Sequence, residues 1–312
     1  MRVAAIDQGT NTTRLLVADV VDGEVEDISK RLEITRLGEG VDRRRRLLPV
    51  SIARVRNVLS EYRREAEQLG AERILLVATS AVRDAENGEA FLGEIEWSYG
   101  FVTRLLSGDE EAELTFRGAA DGRAGSTLVI DPGGGSTEFV VGEVGQIRWR
   151  ASVDVGSVRL TERFVYSDPP TADALEATAA YVRAQLPARP DPDNTIGVAG
   201  TITTLAALDM GLEEPEGLGT HGHRLTLEAV RTQRERLAAL PLDERLRLPG
   251  LHPKRAPVIV AGAVLVEQIL EQFRLDALEV SERDILHGAA LEAAQLPAPA
   301  EGAAPPGAYT CC

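Results

Sequence analysis

Laid against itself at an offset of 124, the chain repeats a short segment dense in reactive side chains. Ile6-Asp7-Gln8-Gly9-Thr10-Asn11-Thr12-Thr13-Arg14-Leu15-Leu16-Val17 falls on Ile130-Asp131-Pro132-Gly133-Gly134-Gly135-Ser136-Thr137-Glu138-Phe139-Val140-Val141. Each copy runs from an apolar strand through an aspartate and a glycine-bearing turn with hydroxyls into a second apolar strand. A further turn follows at Asp22-Gly23 or at Gly145. This pattern reads as a β-hairpin that opens a domain. A length of 312 residues suits two domains, each of roughly 150 residues and able to bury its own core. We expect two similar domains facing one ligand.

The intervening segments alternate helix and strand signals. Ser51, after Pro49, is placed to cap a helix whose apolar positions Ile52, Val55, Leu59, Tyr62, Ala66 and Leu69 keep helical spacing until Gly70. Residues 74–78 and 101–106 are apolar runs of strand length. The second half repeats the theme with a helix over 171–186, a strand over 195–199, a helix from Thr201 and an apolar helix over 257–273. The expected class is α/β. The expected organisation is a first domain over 1–122, joined by a last helix over 284–296, and a second domain over 123–283. From Pro297 the Pro/Ala/Gly-rich sequence to residue 312 cannot bury a face and reads as a disordered tail.

Composition narrows the function. A net charge of −15 opposes general binding to a polyanion such as nucleic acid, so any anion must be caught locally. Lysine occurs only at 30 and 254, so no P-loop lysine is available. The longest apolar run, Val258 to Val266, stops at Glu267, far short of the roughly 20 residues of a membrane span. Asp7 stands where a signal peptide would need apolar residues, and the only cysteines are the adjacent Cys311 and Cys312. These features point to a cytoplasmic, reducing compartment without membrane partners. A homodimer is the expected assembly.

The two repeated turns carry the first chemistry. Consecutive glycines let backbone N–H groups converge on an anion, hydroxyls add donors, and a strand-end carboxylate can hold Mg²⁺. Gly9, Thr10, Asn11 and Thr12 belong to the first turn, and Gly133, Gly134, Gly135, Ser136 and Thr137 to the second. One such turn alone reads as a plain hairpin; two at equivalent places favour ligand binding. A third segment, Gly197-Val198-Ala199-Gly200-Thr201, leads from a strand into a helix, where unpaired N–H groups attract phosphate. Taken alone it reads as a tight turn with Thr201 as cap. Ser107-Gly108-Asp109-Glu110 has capping-box spacing, which occupies Glu110 and leaves Glu111, one step round the helix, to face the cleft. Both glutamates also suit a helix N-terminus on electrostatic grounds alone.

These blocks, with Thr79-Ser80-Ala81-Val82-Arg83-Asp84-Ala85, Ser107-Gly108-Asp109-Glu110-Glu111-Ala112 and Gly156-Ser157-Val158-Arg159-Leu160-Thr161-Glu162, resemble the exopolyphosphatase and guanosine pentaphosphate phosphohydrolase (Ppx/GppA) family over about residues 2–296. The resemblance is to its short, two-domain form. It implies two duplicated ribonuclease-H-like domains of the actin, Hsp70 and sugar-kinase superfold around a central cleft. It also implies release of terminal orthophosphate by water with Mg²⁺, Mn²⁺ being a substitute. The family's catalytic glutamate falls on Glu111. Three departures stand out: Gln8 and Pro132 replace the usual aliphatic residue after the strand aspartate, and Pro257 falls where many relatives carry an acid.

The resulting expectation has Glu111 deprotonating water, Arg83 neutralising a phosphate oxygen, Mg²⁺ near Asp7, Asp131 and Glu138, and the turns gripping the terminal phosphate with Arg14, Gly200 and Thr201 nearby. Without the resemblance, Arg83 reads equally as a salt-bridge partner of Asp84 or Glu86, and Arg14 as a solvated strand residue. Inorganic polyphosphate is the expected substrate, ahead of pppGpp, because an aromatic content of 4% offers no evident guanine sandwich. A catalytically weak phosphate or alarmone sensor and an ATP-driven sugar kinase are the other readings. His221 and His223 lack further ligands nearby. The run Arg43-Arg44-Arg45-Arg46 reads as a solvated loop or as a guide for the distal part of a polyphosphate chain.

Overall fold

The computed structural model of the chain describes residues 1–120, 124–143, 146–188, 190–213 and 219–297. The expected tail beyond 297, Cys311 and Cys312, the turn at Gly145 and the expected boundary at 122/123 lie outside the described residues. The chain forms two compact units, one of Met1–Leu114 with the segment from Ile285 onward, the other of Thr115–Asp284.

The first unit opens with a meander, β1 (Arg2–Gln8), β2 (Thr13–Val21) and β3 (Glu24–Glu33), followed by α1 (Val41–Arg44), α2 (Pro49–Gln68), β4 (Arg73–Ala78), α3 (Ser80–Arg83), α4 (Gly88–Tyr99), β5 (Val102–Leu105) and α5 (Gly108–Ala119), which runs across the unit boundary. The sheet order is β3-β2-β1-β4-β5. The first three strands pair antiparallel, while β4 pairs parallel with both β1 and β5. Asp22 and Gly23, with φ of 52° and 86°, make the left-handed turn between β2 and β3.

The period-2 alternation of a strand sorts β1 between two cores. Ala4 and Ile6 pack with Val55, Leu59, Phe91 and Ile95 of α2 and α4. Val3 and Ala5 pack with Ile285, Leu286 and Ala289 of the last helix, α12 (Ile285–Ala293). A strand covered on both faces reads as one continuous apolar run, as 3–6 does.

The second unit contains β6 (Thr127–Pro132), β7 (Thr137–Glu143), β8 (Gln146–Val153), α6 (Ser157–Phe164), α7 (Ala172–Gln185), β9 (Asn194–Gly197), α8 (Ala199–Met210), β10 (Arg224–Thr226), α9 (Leu227–Ala239), α10 (Leu242–Arg245), α11 (Ile259–Gln272) and β11 (Ala277–Val280). Its sheet, read from β8, runs β8-β7-β6-β9-β11, with β10 added antiparallel at the far edge. The pairing directions repeat those of the first unit: β6–β7 and β7–β8 antiparallel, β6–β9 and β9–β11 parallel. Each unit therefore has the ribonuclease-H-like sheet of the superfold named above. The helix α11 is apolar all round because it serves two cores: Val260, Ala263 and Val266 pack with Leu205 and Val230, and Ala261, Leu265 and Ile269 with Phe139 and Leu160. No described helix is long and apolar enough to cross a membrane.

Three local expectations change. Ser51 is not the cap of α2: that helix starts at Pro49, and the Ser51 hydroxyl accepts from Arg54 Nη2 at 2.9 Å. Proline fits the first turn, where its missing N–H is no loss. Thr201 does not cap α8, which begins at Ala199 behind an extended Val198. Pro257 precedes α11 rather than entering it.

Candidate active site

In the first unit the chain turns from β1 to β2 over Gly9, Thr10, Asn11 and Thr12, and the Gly9 N–H donates to the Thr12 carbonyl at 2.9 Å. In the second, Gly133 to Ser136 turn β6 into β7, and the Gly133 N–H donates to the Ser136 carbonyl, also at 2.9 Å. The two turns are the same device at positions 124 apart.

Their carbonyls are engaged from behind. The Thr10 carbonyl accepts from the Gly38 N–H at 2.8 Å, the Asn11 carbonyl from the Arg36 N–H at 2.9 Å and the Gly9 carbonyl from the Gln8 side-chain amide at 3.1 Å. In the second turn the Gly133 carbonyl accepts from the Ser157 N–H at 3.0 Å, the Gly134 carbonyl from the Val158 N–H at 2.9 Å, and the Gly135 carbonyl from Arg159 Nε at 2.8 Å. The start of α6 comes this close because its cap is Gly156, where a Cβ would lie 2.4 Å from the Gly134 backbone. The amides of Thr10, Asn11 and Thr12, and of Gly134, Gly135 and Ser136, have no acceptor among the described residues. Successive amides left without an acceptor can converge on an anion.

The hydroxyls divide. Thr10 Oγ1 lies 2.8 Å from Ser80 Oγ, tying the first turn to α3. The Thr137 hydroxyl donates to the Val155 carbonyl at 2.5 Å, an internal bond of the second unit. Gln8, fully buried, extends the order behind the first turn: Thr13 Oγ1 donates to Gln8 Oε1 at 2.9 Å, and Thr35 Oγ1 lies 2.9 Å from Thr13 Oγ1.

The acids sit in two different settings. Asp7 faces Arg14 in the β1–β2 register, and Arg14 Nε and Nη2 both donate to Asp7 Oδ2, at 2.9 and 2.6 Å. Asp131 faces Glu138 in the β6–β7 register, and both are buried. Thr115 Oγ1 donates to Asp131 Oδ2 at 3.2 Å and Ser152 Oγ to Glu138 Oε1 at 2.8 Å. Paired hard carboxylate oxygens are donors of the kind that Mg²⁺ or Mn²⁺ takes. Among the described residues no group of three or more His, Cys, Asp or Glu assembles as a metal cluster. Of the expected trio, Asp131 and Glu138 share the β6–β7 ladder of the second unit, and Asp7 belongs to the first unit.

The structure brings Arg83 and Glu111 together. Arg83 Nη1 donates to the Leu106 carbonyl at 2.7 Å and lies 3.4 Å from Glu111 Oε2. Glu111 is 8% exposed. Glu110, its neighbour, is the cap: its carboxylate accepts from the Ser107 N–H and hydroxyl, both at 2.8 Å, while its own N–H donates to Ser107 Oγ at 3.3 Å. Those Ser107 bonds, with Arg104 at 2.7 Å, hold the Glu110 carboxyl below its usual range. A carboxylate so held is a poor proton acceptor.

In the third segment the Arg255 guanidinium lies against Gly200: a Cβ there would lie 1.6 Å from Arg255 Nη1, so a larger residue would displace that side chain. Thr201 packs on α11 at Gly262. Sequence reading missed Arg255 and Arg159, both buried, and the donors Thr115 and Ser152. Arg159 was within reach, since it follows the Gly156-Ser157 block; Thr115 lies four residues after Glu111, on the same helical face.

The Ppx/GppA phosphatase family model matches residues 16–296. Exopolyphosphatase 2 of Mycobacterium tuberculosis is 41% identical over 315 residues, covering 94% of this chain and 98% of that protein. The guanosine-5'-triphosphate,3'-diphosphate pyrophosphatase of Vibrio vulnificus is 29% identical over 299 residues, covering 93% of this chain and 58% of its own length. Among solved structures, an exopolyphosphatase from Cytophaga hutchinsonii superposes with a TM-score of 0.83 at 28% identity, covering 92% of this chain and 96% of that one. With the duplicated turns and these matches in hand, the chain belongs to the Ppx/GppA phosphatase family.

Proposed function

We propose that this enzyme is an exopolyphosphatase, removing orthophosphate from the end of inorganic polyphosphate. The observation that carries the reading is the pair of equivalent turns, each with three amides lacking an acceptor among the described residues and each braced through its carbonyls. Phosphoryl transfer asks for positioning and charge neutralisation more than for covalent chemistry, and pre-set amides supply both without reorganising. In the proposed reaction Glu111 takes a proton from water as the water oxygen bonds to the terminal phosphorus. The terminal P–O–P bridge breaks, the shortened chain leaves as an anion, and orthophosphate is the other product. Arg83, already beside Glu111, neutralises a non-bridging oxygen. Gly200 and Thr201 add a third phosphate contact. Asp131 and Glu138 would hold Mg²⁺, which supplies charge neutralisation at phosphate oxygens when bound. Asp7, oriented by Arg14, is the third carboxylate proposed for that role.

The second reading, a pppGpp 5'-phosphohydrolase, has the similarity to the Vibrio vulnificus protein in its favour. Both substrates present a terminal phosphoanhydride and differ behind it. We place the enzyme in the cytoplasm, a reading supported by a sequence whose only cysteines are Cys311 and Cys312. Orthophosphate release from long polyphosphate, tripolyphosphate, pppGpp and ATP, compared side by side with Mg²⁺, separates the readings. Preference for long polyphosphate supports the first, and preference for pppGpp overturns it.

A further inference from the structure

Arg43, Arg44, Arg45 and Arg46 are all exposed, and none has a carboxylate partner among the described residues. This is unusual in a chain of net charge −15. Other arginines of the same unit are matched, Arg2 with Asp19, Arg31 with Glu65, Arg54 with Glu39 and Arg63 with Glu67, while Arg64 and Arg73 stand singly without a carboxylate among the described residues; the four at 43–46 are consecutive. The run is also held in place. Val41 and Leu47, on either side, are 3% and 2% exposed and belong to the core under α2.

The attachments of this segment are the second observation. Its beginning braces the first turn, through the Arg36 and Gly38 amides on the Asn11 and Thr10 carbonyls. Its end is tied to the residues that follow Arg83: the Arg45 carbonyl accepts from the Glu86 N–H at 2.8 Å, the Leu47 N–H donates to Asn87 Oδ1 at 2.8 Å, and Asn87 Nδ2 donates to the Leu47 carbonyl at 3.2 Å. One short segment thus runs from the turn with acceptorless amides to Glu86 and Asn87, three and four residues after Arg83, and carries four guanidinium groups without a carboxylate partner among the described residues between those two attachments.

We propose that Arg43 to Arg46 form a subsite for the distal phosphates of a polyphosphate chain whose terminal group is bound at the first turn. The inference rests on the exopolyphosphatase reading and adds a length preference to it. Guanidinium groups suit phosphate oxygens, and clustered charge raises the local concentration of a linear polyanion. The subsite compensates locally for an acidic surface that would otherwise repel the substrate.

The test replaces all four arginines with serine and, in parallel, with lysine, using the full chain. KM is measured for long polyphosphate and for tripolyphosphate, and equilibrium binding of long polyphosphate is followed as salt rises. The serine variant raises the long-chain to short-chain KM ratio about tenfold, the sum expected of several exposed charge contacts. Its binding of long chains becomes less salt-sensitive, and the lysine variant, which keeps the charge, retains most of the preference. An unchanged ratio with unchanged long-chain binding overturns the subsite, as does equal weakening of both substrates by the serine variant. If the wild-type protein releases orthophosphate from neither chain, the exopolyphosphatase reading fails. The binding arm then decides the subsite alone: salt-sensitive binding lost in the serine variant supports it, and unchanged binding removes it.

Discussion

Asp131 lies directly opposite Glu138 in the β6–β7 ladder, so two buried carboxylates share one face of the second sheet. At the equivalent place in the first sheet Asp7 is matched by Arg14. The same hairpin thus sets an acid opposite an arginine in one unit and two acids opposite each other in the other. The pair predicts that Mg²⁺ raises the thermal midpoint of the wild-type protein through binding to the folded state alone. Glu138→Gln, which removes one of the two facing carboxylates, reduces the gain on adding Mg²⁺. Asp131→Asn raises the Mg²⁺ concentration needed for half-maximal activity. Full wild-type activity in excess EDTA would sink this assignment.

Glu110 and Glu111 are predicted to part company on mutation. Glu111→Gln keeps substrate binding and lowers kcat by about 10² to 10⁴, the usual weight of a general base. Glu110→Gln loses charge in the capping box and costs about 0.5–1 kcal/mol of stability, with turnover retained. Steady-state kinetics and urea unfolding on both variants check the split. Turnover lost in Glu110→Gln and kept in Glu111→Gln would transfer the role.

The buried Thr35–Thr13–Gln8 chain predicts that Gln8 stiffens the first turn. Gln8→Leu removes one of the Thr13 hydroxyl's two buried partners, leaving Thr35 Oγ1, and takes the side-chain donor from the Gly9 carbonyl. The cost is about 1–3 kcal/mol, and KM rises because the turn amides are less well ordered. Thr13→Val breaks the same chain from its middle, so its cost and that of Gln8→Leu are less than additive in the double variant. Denaturant midpoints for the single and double variants measure this; a double variant less stable than the sum of the singles contradicts it.

Asp27 Oδ1, on β3, lies 3.1 Å from Nε2 of His287 of α12, and Asp27 Oδ2 lies 2.6 Å from Lys30 Nζ. Burial pushes its carboxyl up, but the His287 and Lys30 contacts outweigh that and hold it well below the usual carboxylate range. A carboxyl depressed in the folded state contributes stability in full above its unfolded value, about pH 4, and loses it as the pH falls further toward the folded value. The stability difference between wild type and Asp27→Asn is therefore largest above about pH 4 and shrinks below it. Urea unfolding across that window checks the sign, and a difference that grows on acidification contradicts it.

How much of this was legible in the residues depends on the range of the interaction. The turns at 9–12 and 133–136 are fixed by glycine, hydroxyl and aspartate chemistry within a dozen residues, so the offset of 124 located both. The Ser107–Glu110 box is equally local. The Asp7–Arg14 pair was also within reach, because a four-residue turn between Gln8 and Thr13 puts residues 7 and 14 opposite each other. Arg255 over Gly200 was not, since 55 positions of chain separate them and only the packing of the segment before α11 joins them. The starts of α2 and α8 differ from the reading because Pro49 and Ala199 begin those helices without a side-chain cap, and hydroxyl-based signals do not see such starts.

The most direct measurement of the central claim is orthophosphate release from long polyphosphate with Mg²⁺ by the wild-type protein and by Glu111→Gln. The account predicts that wild type releases single orthophosphates from chain ends, and that Glu111→Gln binds the chain but turns it over at least about a hundredfold more slowly. Internal cleavage into shorter polyphosphates, or equal release by the two proteins, would contradict it.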